Sequence, residues 1–332
     1  MVRTEEWRRP TGTLLGILAV AAAYYAAARI GLLLRVVVEG AVVTALWLPT
    51  GIAVAALLWC GPRIWPGIAL GTYLSIEHLS SFQIADAGIV LGNTLAPLCA
   101  YLLLRRVGFR TQIDRLRDGL ALVFLGGLLP MLLSASIGTG VLVATGDLAP
   151  SDFWPVWSAW WAGDAMGVLV VTPLLLVLRT VRMPHDAYQV AEAVALTAVI
   201  GVVALAATQS PLSLLFLVFP LLIWSAVRFQ LAGSAPCVLV LSVVVIWAAT
   251  KGAGPFAGHT LFEIMVNVQA LNGSAALIAL ILSALVTEQI NIREEIERVC
   301  EDLAEVVDRL APRRPGDEAL PPDRADPEVT DR

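Results

Sequence analysis

Ten apolar stretches separated by short polar breaks constrain this chain more than any other feature. They lie near 11–34, 41–60, 64–79, 84–104, 118–144, 153–178, 189–208, 212–227, 231–250 and 260–287. A bilayer core is crossed by a helix of roughly 17 to 25 mostly apolar residues. No water reaches backbone N–H and C=O groups there, so the spanning form is a helix that satisfies them internally. The expected fold is therefore all-α, a polytopic transmembrane bundle of about 8–10 spans over 11–287. The stretches at 64–79 and 212–227 are short and read as tilted or re-entrant.

Composition agrees. Of 332 residues, 58% are hydrophobic and 15% charged, against about 25% charged in soluble domains. Mean hydropathy is +0.78. The net charge of −5 sits in loops and ends, and no basic block implies nucleic acid. Cys60, Cys99, Cys237 and Cys300 form no CxxC pair, and three of them fall in apolar stretches, where they read as small buried hydrophobes. The first stretch is too long for a cleaved signal peptide.

Basic residues set the orientation. With the N-terminus (1–10) cytoplasmic and the spans alternating, all 22 basic residues but Arg29, Arg35 and Lys251 fall inside. The outer segments carry Glu39, Glu77, Asp86, Asp147, Asp152 and Glu263. Both termini are expected in the cytoplasm.

After the last span, 288–310 reads as a charged helix. Ile278, Leu282, Leu285, Gln289, Ile292, Ile296, Val299, Leu303, Val306 and Leu310 recur in alternating steps of four and three, the seam of a coiled coil. This predicts a homodimer through 278–310; the bland alternative is a helix lying on the cytoplasmic loops. Pro312 and Pro315 end it, and the proline-rich, charged 311–332 is expected to be disordered.

The segment from Trp154 to Gly167 is richest in chemistry. Trp157, Trp160 and Asp164 are three and four apart, on one helical face, and Trp161 adjoins them. Gly163 and Gly167 form a GxxxG pair that admits a neighbouring helix. A carboxylate inside a membrane faces the bundle interior or a wet cavity. Asp164 thus reads either as a ligand or proton sensor beside an aromatic wall, or as a structural group under a tryptophan belt. Gly67/Gly71 and Gly88/Gly92 are further helix-packing pairs, and Asn93 is placed to bond across to Asp164. Trp47-Leu-Pro49-Thr-Gly51 reads as a break in the middle of the second stretch, exposing backbone groups that need partners.

On the outer side, Glu77 and His78, with His259 and Glu263 at i,i+4, are candidates for a metal or pH site. His185 is cytoplasmic and isolated. No nucleophile elbow, Walker A loop or HExxH occurs, so no enzymatic activity and no cofactor are expected. Many spans with Asn93, Asp164, Asn267, Gln269 and Asn272 among them also fit a small-solute transporter or channel.

Trp47-Leu-Pro49-Thr-Gly51, Trp65-Pro66-Gly67, Gly92-Asn93-Thr94, Trp161-Ala-Gly163-Asp164-Ala-Met-Gly167 and Gly252-Ala-Gly254-Pro255-Phe256, in this order, resemble the membrane-associated sensor domain of the first type (MASE family). The resemblance covers about 12–298. It implies a multi-pass input module of the bacterial inner membrane, the kind joined to histidine kinases and diguanylate cyclases, in contact with membrane lipids. Trp47, Pro49, Asn93, Trp161, Gly163 and Asp164 match its signature. With no kinase, GGDEF or PAS segment in the sequence, the expected output is a separate cytoplasmic signalling protein, reached through the final helix.

Overall fold

The computed structural model describes residues 3–38, 40–180, 187–210 and 214–310. His185 and the tail 311–332 lie outside the described residues. The chain divides into two compact units, Met1–Glu288 and Gln289–Arg332.

The first unit is an all-α bundle. Its helices are α1 (Arg3–Gly31), α2 (Leu48–Cys60), α3 (Trp65–Leu79), α4 (Ala87–Arg106), α5 (Leu116–Ala121), α6 (Leu129–Thr145), α7 (Phe153–Thr180), α8 (Ala187–Gln209), α9 (Val218–Thr250) and the part up to Glu288 of α10 (Leu261–Leu310). Among the described residues, 7 helical segments are long and apolar enough to cross a membrane. α2 and α3 are shorter. A π-helical segment, Leu122–Leu128, joins α5 to α6.

α9 holds two of the ten sequence stretches. Gln230 sits at φ 49, ψ −142, outside any helical conformation, and Ser225 Oγ lies 3.5 Å from Cys237 Sγ. In a straight helix these residues would be about 18 Å apart. The chain therefore reverses at Gln230, and both limbs pack beside α8, where Thr197 Oγ1 also meets Cys237 Sγ at 3.4 Å. Cys237 is the one buried cysteine. Cys99 is half-buried and Cys60 exposed, because α2 ends at Cys60 without a covering neighbour; the expectation that apolar context would bury all three holds for Cys237 alone.

The second stretch differs from its reading. Residues 41–60 are not one helix broken at Pro49. Strand β1 (Arg35–Val38) pairs antiparallel with β2 (Ala41–Thr44), Val38 opposite Ala41, and the turn uses Gly40 at φ 85. Valines at 36–38, 42 and 43 favour the pleated form. α2 starts only at Leu48, and Pro49 falls in its first turn, where a missing N–H costs nothing.

Contacts sort the helix ends into two levels. At one end, the Arg179 guanidinium lies over the Trp59 ring, Arg228 pairs with Glu192 at 3.1 Å, and Leu116 N donates to Glu288 Oε2. At the other, the His78 ring meets Tyr25, Gln269 meets Ala45, and Gly254 abuts the Thr208 carbonyl. The first is the arginine-rich end.

Glycines set the closest approaches. Gly67 and Gly71 face Ile17 and Tyr24 of α1, while Gly88 and Gly92 face Val141 and Ile137 of α6. A Cβ added at Gly163 or Gly167 would meet the carbonyl oxygens of Thr44 or Trp47 closer than any Cβ tolerates, and one at Gly51 would meet that of Gly167. The start of α2 and the middle of α7 therefore touch backbone to backbone. Trp47 N donates to Gly163 O at 2.9 Å across the same seam.

In the second unit the helical residues up to Leu310 carry an exposed apolar row. Ile296 and Leu303 are 58% and 59% exposed, flanked by the Arg293–Glu297 ion pair at 3.1 Å.

Candidate functional site

A helix of 13 residues such as α2 is about 20 Å long, short of a hydrocarbon core about 30 Å thick. The missing length lies above Trp47, where the β-hairpin replaces helix. There a cavity of about 350 Å³ opens, lined by Val43, Thr44, Trp47, Thr72, Ser75, Asp86, Asn93, Asp147, Trp160, Gly163 and Asp164 among others. Non-helical backbone is tolerated at membrane depth where it lines such a cavity.

Asp164 forms the floor. It lies eleven residues into α7, about 16 Å from the helix start, and is 1% exposed. Thr50 Oγ1 donates to its Oδ1 at 2.7 Å. Ser134 Oγ, on α6, lies 2.7 Å from its Oδ2 and 2.7 Å from Asn93 Oδ1. Side chains of α2 and α6 thus meet on the α7 carboxylate, and Ser134 links it to Asn93 of α4. A buried carboxylate left unbonded is costly, and two hydroxyl partners offset that cost.

A serine hydroxyl has one proton, so Ser134 cannot donate to both neighbours. Two arrangements satisfy the chain. Either a protonated Asp164 donates to Ser134, which donates to Asn93 Oδ1, or an ionised Asp164 accepts from Ser134, which accepts from Asn93 Nδ2. The second requires the Asn93 amide turned over, which exchanges its oxygen and nitrogen at nearly unchanged shape.

Beside this floor, Tyr24 of α1 is buried and its ring packs on Gly71 of α3, one residue before Thr72, which lines the cavity. Trp160 lines the cavity, and its ring packs against Gly138 of α6.

The structure brings Trp47, Asn93, Trp160, Gly163 and Asp164 together. Asn93 reaches Asp164 through Ser134, not directly. Pro49 sits in the first turn of α2 and is not among the residues that line the cavity. Trp157 and Trp161 stack on each other with centroids 6.0 Å apart and turn to α6 and the π segment instead: Trp157 Nε1 donates to Ser136 Oγ and Trp161 Nε1 to Leu128 O at 2.8 Å. That carbonyl sits where the π ladder hands over to the α ladder, which leaves acceptors out of register. Thr50, Ser134, Thr72 and Tyr24 were not singled out from sequence.

The outer histidines are not gathered. His259 Nδ1 is 3.5 Å from Glu263 Oε2, Glu77 Oε2 accepts from Phe82 N, and His78 rests against Tyr25. Among the described residues no three His, Cys, Asp or Glu side chains come together as a metal-holding group.

The fold and this site are those of a multi-pass integral-membrane helical domain built round an internal cavity. The chain belongs to the MASE1 family, whose match runs over residues 17–290, and it is a membrane sensor domain of that type. It is 29% identical over 194 residues to the probable diguanylate cyclase DgcE of Escherichia coli (strain K12), a match covering 55% of this chain and 17% of that protein. The chain thus spans under a fifth of the length of that relative. No solved structure matches it.

Proposed function

We propose that this chain is a sensory module of the bacterial inner membrane, with the arginine-rich end cytoplasmic, that takes a stimulus in the cavity above Asp164 and relays it through α10 to a separate cytoplasmic signalling protein such as a kinase or cyclase. The observation that carries this reading is one hydrogen bond. Gln269 Nε2, in the second or third turn of α10, donates to Ala45 O at 3.0 Å. Ala45 follows Thr44, which lines the cavity and closes on Gly163. A ligand that moves the 44–51 segment therefore acts on the output helix through a direct contact, the differential contact an allosteric coupling needs.

The exposed row Ile292, Ile296, Val299, Leu303 and Val306 suits pairing with a second copy, which gives the relay a symmetric dimer stalk. The relative DgcE is named as a probable cyclase, which supports that class of output.

The test is partner capture from native membranes through a C-terminal tag, on the wild type and on Ile296→Asp with Leu303→Asp. A kinase, cyclase or regulator enriched with the wild type and lost with the double variant, at equal membrane insertion, is expected. Equal capture by both proteins sinks the relay.

A further inference from the structure

We propose that the cavity above Asp164 binds a small organic cation of the primary-amine class, its ammonium on Asp164 and its alkyl body between the Trp47 and Trp160 indoles. The proposal rests on the reading of this cavity as the sensory site and names the ligand chemistry that site takes.

The lining is one-sided in charge. Asp86 and Asp147 stand among the residues that line the cavity, Asp164 forms its floor, and no Lys or Arg is among those residues. An anion entering would meet three carboxylates and no counter-charge. Asp86 and Asp147 already accept bonds from Gln83 N and Thr145 Oγ1, yet each carboxylate keeps acceptor capacity for a cation.

The floor points the same way through a second, independent feature. Asn93 is 9% exposed and lines the cavity, and the one hydrogen bond of its side chain among the described residues is with Ser134. The other half of its amide faces the cavity unpartnered. With Asp164 ionised, proton counting turns the amide over, so that Asn93 Oδ1 faces inward. The floor then presents acceptors only, Asn93 Oδ1 and the remaining lone pairs of Asp164, which match the three N–H donors of an ammonium. Trp47 and Trp160 both line the cavity, and an indole offers cation–π surface to a charge and apolar surface to an alkyl chain. A volume of about 350 Å³ is at the small-ligand end of binding cavities. Binding would also fix the ionised arrangement of the Ser134 relay, giving α4, α6 and α7 one hydrogen-bonded state in place of two.

The test uses the full chain in lipid nanodiscs and three four-carbon probes of matched size: putrescine, 1,4-butanediol and succinate, titrated by calorimetry and by the quenching of tryptophan fluorescence. Saturable binding of putrescine alone is expected. Asp164→Asn should weaken it by at least about tenfold, the loss of a hydrogen bond between charged groups. Asp86→Asn with Asp147→Asn should weaken it less. Equal or tighter binding of succinate or butanediol, no binding of putrescine, or putrescine binding that ignores Asp164→Asn each overturns the proposal.

Should Asp164→Asn fail to fold, labelling decides. Ser81→Cys, at the cavity wall in a background with the native cysteines replaced by serine, should react with a cationic methanethiosulfonate faster than with an anionic one, relative to a free thiol, by roughly fivefold or more. A ratio at or below one overturns the cation site. Putrescine binding with partner output unmoved would leave the cation site standing and sink the sensory reading. Output intact with no cation preference sinks the cation site alone.

Discussion

Gln269 and Ala45 are 224 positions apart in the chain and joined by a hydrogen bond of 3.0 Å. One belongs to α10, the other to the segment that walls the cavity. Gln269 Oε1 is buried without a partner among the described residues, and the amide is held there by its donor side. Gln269→Leu keeps the volume and removes the donor. Loss of one such bond costs about 1 kcal/mol, a small drop in thermal stability in detergent. Partner output, in contrast, should become insensitive to substitutions at Asp164. An output that still responds to Asp164→Asn in the Gln269→Leu background would show that the signal bypasses this contact.

The seam between α2 and α7 makes a second prediction. Gly163→Ala and Gly167→Ala each drive a methyl into a backbone carbonyl, Thr44 O or Trp47 O, which cannot turn aside. Gly92→Ala meets Ile137 at 3.2 Å, a side chain with room to shift. Overpacking of this kind costs about 1–3 kcal/mol or more. The α7 variants should therefore lose monodispersity in detergent at temperatures where Gly92→Ala stays intact. Equal tolerance at the three sites would mean that the two backbones do not touch.

The bundle and most of its limbs were legible in the sequence because lipid imposes one rule, that long apolar runs become helices. The start of α2 was not. A short apolar run such as 41–46 has no period that separates strand from helix, and only its valines hinted at a hairpin. Asp164 stood out as a carboxylate in an apolar run, and Thr50 lay inside a segment already noted for its proline and glycine. Ser134 carried no signal. Hydroxyls are common in these helices and usually bond their own backbone one turn back, as Thr72 does to Ile68 O, Thr94 to Val90 O and Thr197 to Ala193 O. Which one turns to a neighbour instead depends on helix rotation, which spacing does not give. The tryptophans show the same limit. Helical spacing put Trp157 and Trp160 on one face with Asp164, but side-chain direction sends Trp157 to Ser136 and leaves Trp160 at the cavity.

The reversal in α9 is open to a direct chemical check. Ser225→Cys should form a disulfide with native Cys237 under mild oxidation, because their side-chain atoms are already 3.5 Å apart. A helix running straight through Gln230 would hold them about 18 Å apart, beyond any bridge. Peptide mapping of the oxidised variant reads the outcome. Failure to bridge, with both thiols alkylated after denaturation, would mean that 214–250 is one straight span, and would invert the side on which every later loop lies.

The exposed row of the last helix leads to a prediction about assembly. In its alternation of three and four, Val299 takes a position that faces its counterpart across a parallel two-stranded coil, and Cys300 lies one residue off that line. Val299→Cys, with Cys300→Ser and the other cysteines replaced, should cross-link between chains in membranes in high yield. Moving the thiol to Arg298, which points away from the row, should reduce the yield severalfold, since disulfides require Cβ atoms about 4 Å apart. Adding Ile296→Asp and Leu303→Asp puts like charges face to face in the seam and should abolish the cross-link at Val299→Cys. If 298 and 299 cross-link equally and the aspartates change neither, collision in the membrane explains the contact, and the apolar row must be covered by something other than a second copy of this chain.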